Sequence, residues 1–318
     1  MQVSLALTVL NEGADVRRLF DSIVQQTRLP DEVVVCDGGS SDDTLAIITE
    51  YSDKLPLRTL TRVRANISTG RNAAIRAARG EIIAVTDSGV RLAPDWLQQL
   101  TTEFEHEEVT LAAGFFRADV ETTFETAMGA TVLPTLEDID PARFLPSSRS
   151  VAFRKNAWEA VGGYPEWLHY SEDVVFDLAI RERFGAFAFV PAALAHFRPR
   201  GSLTAFARQY FHYAAGDGHA GLFARLHFVR YFTYLLAVPL GIYAALTVHP
   251  TIWLLGAVAG MAYVRRPLIR ATRLWGELSL VQRGMVLVLL PIIRVVGDMA
   301  KLVGYPAGLW KRVTHGQK

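Results

Sequence analysis

The chain has 318 residues, with 33 Lys and Arg against 32 Asp and Glu, a net charge of +1 and half its residues hydrophobic. That balance gives no field to draw nucleic acid or strongly acidic partners, so neither is expected. A single cysteine, Cys36, excludes an internal disulfide framework and suits a reducing compartment, its expected role being that of a small core hydrophobe.

The opening "MQVSLALTVLNEG" lacks the basic stretch of a signal peptide and reads as a buried strand, so folding is expected to begin in the cytosol. "DVRRLFDSIVQQT" follows with helical spacing of Val16, Leu19, Phe20, Ile23 and Val24. "DEVVVCD" is a second strand, and "SDDTLAIITEYSD" a second helix with acids at its positive end. "LRTLTRV" is a weaker third strand, and "STGRNAAIRAAR" a helix with Ser68 or Thr69 as its expected cap. "GEIIAVTD" is a fourth strand, followed by a helix in "PDWLQQLTTEFE" with Pro94 at its start. Residues 121–146 read as an irregular acidic excursion. Strands alternating with helices predict an α/β fold with a mostly parallel sheet, in which ligands bind beyond the carboxyl ends of the strands. The polar turns after Leu10, Cys36 and Thr86 are therefore expected to converge on one crevice.

Several residues at these ends carry chemistry. Asn11 and Glu12 close the first strand, and Asp37 the second, where a carboxylate can accept from a base N–H or a ribose hydroxyl. Gly38-Gly39 lets backbone approach a ligand, while Ser40 to Asp43 also cap the next helix. No Gly-x-Gly-x-x-Gly follows the first strand and no P-loop lysine motif is present, which argues against a dinucleotide fold or a P-loop. Arg71-Asn72 follows a Ser-Thr-Gly turn at a helix start, a place that collects anions, although a solvated arginine is the plain alternative. Asp87, in "VTDSGVRLAPDWL", could hold a divalent ion bridging a diphosphate. Glu172-Asp173 opens a helix whose Val174, Val175, Leu178 and Ile180 look like core; the acids are either dipole partners or a general base and its neighbour. His196 could be a metal ligand or a phosphate contact, and Arg198 and Arg200 could meet phosphates or anionic lipid.

The rest of the chain differs. "LTAFARQYFHYAAGDGHAGLFARLHF", within residues 201–228, is basic and aromatic and suits an amphipathic stretch on a membrane surface, with a core helix as the alternative. From Tyr231 to Val264 no Asp, Glu, Lys or Arg occurs, and "VHP" in the middle supplies a turn. Two spans joined as a hairpin over about residues 229–264 fit, flanked by arginines that the positive-inside rule puts in the cytoplasm. Residues 284–310 form a further apolar segment in which Arg294, Asp298 and Lys301 share one helix face, and an interfacial or re-entrant element is expected there.

Residues 3–200 resemble the inverting family 2 glycosyltransferases of GT-A fold in their membrane-attached form. The resemblance rests on "LTVLNEG", "VVVCDGGSSDDT", "TGRNAAI", "VTDSGVRLAPDWL", "VAFRKNAWEAVGGYPE" and "SEDVVFDLAIRERFG" in that order. It implies a catalytic domain over residues 1–200, followed by a transmembrane and interfacial helical region over 229–318. It further implies that Asp37 contacts the nucleotide base, with Thr8, Leu10, Asn11, Glu12 and Gly38 lining the same pocket. Arg71, Asn72, Asp87 and Ser88 would lie near the ribose and diphosphate, with Gly163, Tyr164, Arg198 and Arg200 on the phosphate or acceptor side. Asp173, beside Glu172, would deprotonate the acceptor. The family's Asp-x-Asp holds Mg²⁺ or Mn²⁺; here Gly89 replaces the second acid, leaving Asp87 with His196 as metal ligands, or an arginine supplying part of the charge.

The expected function is transfer of a sugar from a UDP- or GDP-linked donor to a lipid or lipid-linked acceptor. The expected location is the inner cell membrane, multi-pass, with the catalytic domain in the cytoplasm. A sugar nucleotidylyltransferase would want a lysine-rich first turn, and a non-catalytic membrane scaffold would bind no nucleotide. A polysaccharide synthase would need more spans and a Gln-x-x-Arg-Trp motif.

Overall fold

A computed structural model of the protein describes residues 1–315. In chain order its elements are β1 (Val3–Val9), α1 (Asp15–Val24), β2 (Glu32–Asp37), α2 (Thr44–Thr49), β3 (Leu57–Thr61), α3 (Ile67–Ala77), β4 (Ile82–Val85), β5 (Val90–Leu92), α4 (Trp96–Thr102) and β6 (Leu111–Ala118). There follow α5 (Thr123–Val132), β7 (Val151–Arg154), α6 (Lys155–Ala160), α7 (Glu172–Phe184), β8 (Ala188–Phe197), α8 (Leu203–Ala220), α9 (Ala224–Phe232), α10 (Val238–Thr247), α11 (Ile252–Thr272) and α12 (Leu280–His315). They divide into two compact units: Met1–Asp119 with Leu136–Arg198, and Val120–Thr135 with the chain from Pro199 onward.

The first unit is built on one mixed sheet of order β3-β2-β1-β4-β7-β6-β8-β5. The β3-β2-β1-β4 half is parallel throughout, as the strand–helix alternation predicts. β7 then runs antiparallel between β4 and β6, and β8 is parallel to β6 but antiparallel to β5. Because side chains alternate across a strand, Leu5, Leu7, Val33, Val35 and Ala84 enter one core while Ala6, Val34, Cys36, Ile83 and Val85 enter the other. Both faces are covered, which is why β1, β2 and β4 read as unbroken apolar runs. Each fully buried Leu, Val or Phe contributes roughly 1.5–3 kcal/mol. Cys36 is such a core residue, its thiol pushed up to about 11 by burial.

Three local readings change. The cap of α3 is Asn66, whose side chain accepts from the Thr69 backbone N–H, rather than Ser68 or Thr69. Leu178 points to solvent on α7, while Phe176 and Ile180 supply its buried face. The excursion at 121–146 contains a regular helix, α5, closed at its start by a capping box between Thr122 and Glu125. Residues 120–135 belong with the second unit, so the first is not continuous over 1–200.

In the second unit, α5, α8, α11 and α12 share a core of Ala127, Met128, Phe206, Ala271, Val286, Leu290 and Ile293. α8 packs tightly on α12. The contact is close because Gly304 and Gly308 face α8: a Cβ at Gly304 would come within 2.2 Å of the Phe211 carbonyl, and one at Gly308 within 2.1 Å of the Ala215 carbonyl. α12 runs unbroken for 36 residues through Pro291 and Pro306, roughly 54 Å at 1.5 Å per residue, so residues 284–310 do not re-enter. Two helical stretches, Ala224–Thr247 and Ile252–Thr272, are long and apolar enough to cross a membrane and are largely unburied. They bracket the expected hairpin and extend it by several residues at each outer end.

Candidate functional site

β1, β2 and β4 end on the same edge of the sheet, and their polar turns are laced together. Asn11 adopts the left-handed backbone region and accepts from the backbone N–H of Ser41, while its own N–H donates to Ser40. The Glu12 N–H donates to Thr44, Gly38 donates to the Val9 carbonyl, and Thr8 lies half-buried just before them. Leu10 is exposed. Asp37 is 1% exposed and accepts from Gly39 N–H, Ser40 N–H and the Ser40 hydroxyl at 2.6–3.1 Å. The second strand's acid therefore has a local task that the sequence reading did not give it, which is to hold the glycine–serine turn in shape.

A cluster of charges forms where β4 meets α3 and α7. Arg71, only 1% exposed, places Nη2 3.1 Å from Asp87 Oδ1 and Nη1 3.1 Å from Glu172 Oε1. Its guanidinium lies 4.8 Å from the centre of the Tyr164 ring. The second Asp87 oxygen faces Arg149 Nε at 3.8 Å. Glu12 lies near the group, and burial, with the Asp87 charge adding to it and Ser88 opposing it, raises its carboxyl. Ser171, left-handed at φ 62°, turns the chain into α7 so that Glu172 and Asp173 form its first turn. A non-glycine residue in that region is strained, and such strain collects at functional sites.

The two acids of α7 differ. Glu172 is buried on Arg71, and burial together with the Asp173 charge pushes its carboxyl up to about 7. Asp173 is half-buried, and its Oδ1 accepts from Val174 N–H at 2.9 Å. No described residue donates to its Oδ2, and that atom is not sealed from solvent. Burial raises Asp173 too, opposed by Arg71 and, more weakly, by Arg149. One turn further on, Asp177 is buried with an oxygen that has no partner, and burial beside Asp173 raises it well above the carboxylate range.

Asn72 sits behind this cluster. Its Nδ2 donates to the Tyr164 carbonyl at 2.8 Å and to Glu166 at 3.0 Å, and its Oδ1 accepts from Tyr164 N–H at 2.9 Å and Trp158 at 3.2 Å. The amide is saturated, so Asn72 holds the turn containing Gly163 and Tyr164 rather than facing a ligand. A cavity of about 400 Å³ opens beside that turn, lined by Gly163, Tyr164, Trp167, Val175, Phe176 and Ala179 among others.

Two expected members are elsewhere. His196 lies on β8 in register with Arg91 on β5 and Arg117 on β6, and burial with the Arg91 charge lowers its pKa. Adjacent Phe197, on the opposite face of the strand, is the residue that meets Arg149. Arg198 and Arg200 are exposed just past the end of β8, and Arg200 belongs to the second unit. Arg149, inside "SSRS", was missed; nothing in that polar tetrapeptide distinguishes it from a loop.

Residues 4–158 match the family described as Glycosyl transferase family 2. The chain carries a family 2 glycosyltransferase domain. It is similar to the uncharacterized glycosyltransferase YfnE of Bacillus subtilis, 35% identical over 122 residues that make up 36% of this chain and 30% of that protein. It is also similar to a chondroitin synthase of Escherichia coli, 33% identical over 106 residues, 33% of this chain and 16% of the synthase. The chain thus matches less than a third of the length of these relatives. Among solved structures, the mannosyltransferase PcManGT of Pyrobaculum calidifontis, in complex with GDP-Man and Mn²⁺, superposes with a TM-score of 0.57 at 18% identity, over 95% of this chain and 87% of that one. S. aureus TarS 1-349 in complex with UDP-GlcNAc gives 0.53 at 16% identity, over 99% and 92%. At such identities the likeness establishes the GT-A fold alone.

In this glycosyltransferase domain Gly163, Tyr164, Glu172 and Asp173 lie beyond the matched residues, so their assignment rests on geometry and on the resemblance. The side chains do not by themselves fit a divalent ion. Asp87 already has a guanidinium on each oxygen, Gly89 offers no second acid, and His196 stands between arginines. Among the described residues no group of three His, Cys, Asp or Glu is placed to hold a metal. The pairing of Asp87 with His196 as metal ligands is therefore set aside.

Proposed function

We propose that the first unit is an inverting glycosyltransferase that moves a sugar from a UDP- or GDP-linked donor to an amphiphilic acceptor: a lipid-linked saccharide, a glycolipid or a polyprenyl phosphate. The observation that carries this reading is the carboxylate of Asp173. It is half-buried with one oxygen free of protein donors, beside the Arg71–Asp87–Glu172 network at the strand ends. An acid held above its usual range by burial makes an effective base near neutral pH.

With a saccharide or glycolipid acceptor Asp173 takes the proton from the acceptor hydroxyl, and with a polyprenyl phosphate the phosphate oxygen is itself the nucleophile. In either case that oxygen attacks the anomeric carbon from the side opposite the diphosphate. As the new C–O bond forms, the bond to the diphosphate breaks, its electron pair leaves with the nucleotide, and the configuration inverts. Glu172, pinned by Arg71, positions the first turn of α7. The turns at Thr8 to Glu12 and Asp37 to Ser40 form the wall against which the nucleoside packs.

An amphiphilic acceptor is supported by the two long apolar helices on the same chain. Their arginine-rich flanks favour a membrane location with the enzyme on the cytoplasmic side. Incubating the full chain in membranes with a panel of UDP- and GDP-sugars, followed by mass spectrometry of the lipid extract, tests the reading. A mass increase of one sugar with one donor class supports it; no transfer from any donor contradicts it.

A further inference from the structure

We propose that Arg149 is the cation that receives the donor diphosphate, and that donor binding by this chain does not require a divalent ion. The proposal rests on the nucleotide-sugar reading above and concerns how that same site meets the donor's charge.

The diphosphate enters a region where Glu12, Asp87, Glu172 and Asp173 are gathered, so a positive partner is needed to offset carboxylate repulsion. A hard divalent cation would be held through one or two carboxylates together with phosphate oxygens. Asp87 is the acid at that place, and both its oxygens face guanidinium groups, Arg71 at 3.1 Å and Arg149 at 3.8 Å. A metal would have to displace one of these contacts. Where a second acid would stand, Gly89 is exposed, and a Cβ added there meets nothing within 4 Å, so no other side chain has taken over the position.

Of the two guanidiniums on Asp87, Arg71 is unsuited to the ligand. It is sealed from solvent, its two arms are spent on Asp87 and Glu172, and one face lies on Tyr164. Arg149 is the more accessible of the two. Its side chain is 22% exposed, its guanidinium lies 4.5 Å from the centre of the Phe197 ring, and Nη1 donates to Ser147 at 3.0 Å. Its carbonyl accepts from the Thr86 hydroxyl at 2.8 Å, which ties it to the residue just before Asp87. The result is a preorganised planar fork, anchored on its aromatic side, beside an acid that balances its charge until a ligand arrives. Such forks bind phosphate oxygens bidentately, and as the glycosidic bond breaks the same contact would stabilise charge on the leaving diphosphate.

The test is titration calorimetry of the full-length protein in detergent with UDP, GDP, uridine and guanosine, in EDTA and then with Mn²⁺. One nucleoside diphosphate is expected to bind in EDTA, with Mn²⁺ changing its affinity less than about threefold. Arg149→Gln is expected to lower that affinity at least about tenfold while leaving the matching nucleoside unchanged, and Arg149→Lys to recover part of the loss. Thermal melts check that both variants fold, and the unchanged nucleoside affinity reports an intact base pocket. Diphosphate binding that appears only with Mn²⁺, or an Arg149→Gln protein that binds as the wild type does, overturns the proposal and leaves the nucleotide-sugar reading standing. If neither diphosphate binds in any condition, both fall.

Discussion

Asn72 holds Tyr164 by both of its backbone groups: its amide nitrogen donates to the Tyr164 carbonyl at 2.8 Å and its amide oxygen accepts from the Tyr164 N–H at 2.9 Å. Because the Tyr164 ring lies under Arg71, a side chain that touches no reacting atom sets the position of the central cation. Replacing Asn72 by Ala leaves those buried groups without partners, at about 1–3 kcal/mol each. Asn72→Ala is expected to lower the melting temperature by several degrees and to reduce kcat/KM. A melting temperature unchanged within one degree would show that the clasp is not structural.

The raised acids predict opposite pH trends for activity and stability. Glu172 is shifted from an ordinary 4.5 to about 7, and Asp173 is shifted in the same direction. The folded state thus holds their protons more tightly than the unfolded state. This contribution to stability is full below about pH 4.5 and is lost as pH rises towards 7. Transfer, which needs an ionised base, rises over the upper part of the same window. A kcat/KM profile that increases from pH 5.5 to 8, with melting temperatures falling across that range and a smaller fall in Glu172→Gln, is the expected outcome. A flat profile would remove the coupled acids from the mechanism.

Gly89 predicts a gain of metal sensitivity. The open space at its Cβ admits a carboxylate two residues after Asp87. Gly89→Asp is expected to fold normally and to show nucleoside diphosphate binding that strengthens with Mn²⁺ more than the wild type does. Identical Mn²⁺ responses in the two proteins would mean that the missing acid is not what distinguishes this site.

In the second unit, Asp298 on α12 accepts from Arg230 at 2.8 Å, Tyr234 at 3.1 Å and Tyr263 at 2.6 Å, tying the two apolar helices to α12. Asp298→Ala leaves the partly buried Arg230 without its carboxylate, a loss of about 3 kcal/mol by comparison with broken buried pairs. Faster proteolysis between residues 230 and 263 in detergent is expected. Protection equal to that of the wild type would show that packing alone holds the helices.

The parallel half of the sheet was legible because β1, β2 and β4 are covered on both faces and end in polar turns, a pattern that survives without knowledge of neighbours. Asp87 was legible as an acid placed where the apolar run of β4 stops, and the Glu172-Asp173 pair as acids that open a helix. Arg149 was not, since its meaning comes from Phe197 and Asp87, which are distant in sequence. Asn72 and His196 were assigned by type, and only long-range pairing shows that one is saturated by Tyr164 and Glu166 and the other set between Arg91 and Arg117. The Gly304-to-Gly308 spacing was a readable sign of close helix packing.

Asp173→Asn separates chemistry from binding most directly. In a single-turnover assay with the donor class identified for the wild type, the variant is expected to bind the nucleotide within about twofold of wild-type affinity and to transfer at least about a hundredfold more slowly, as loss of a positioned base requires. Transfer at the wild-type rate by Asp173→Asn would contradict the account.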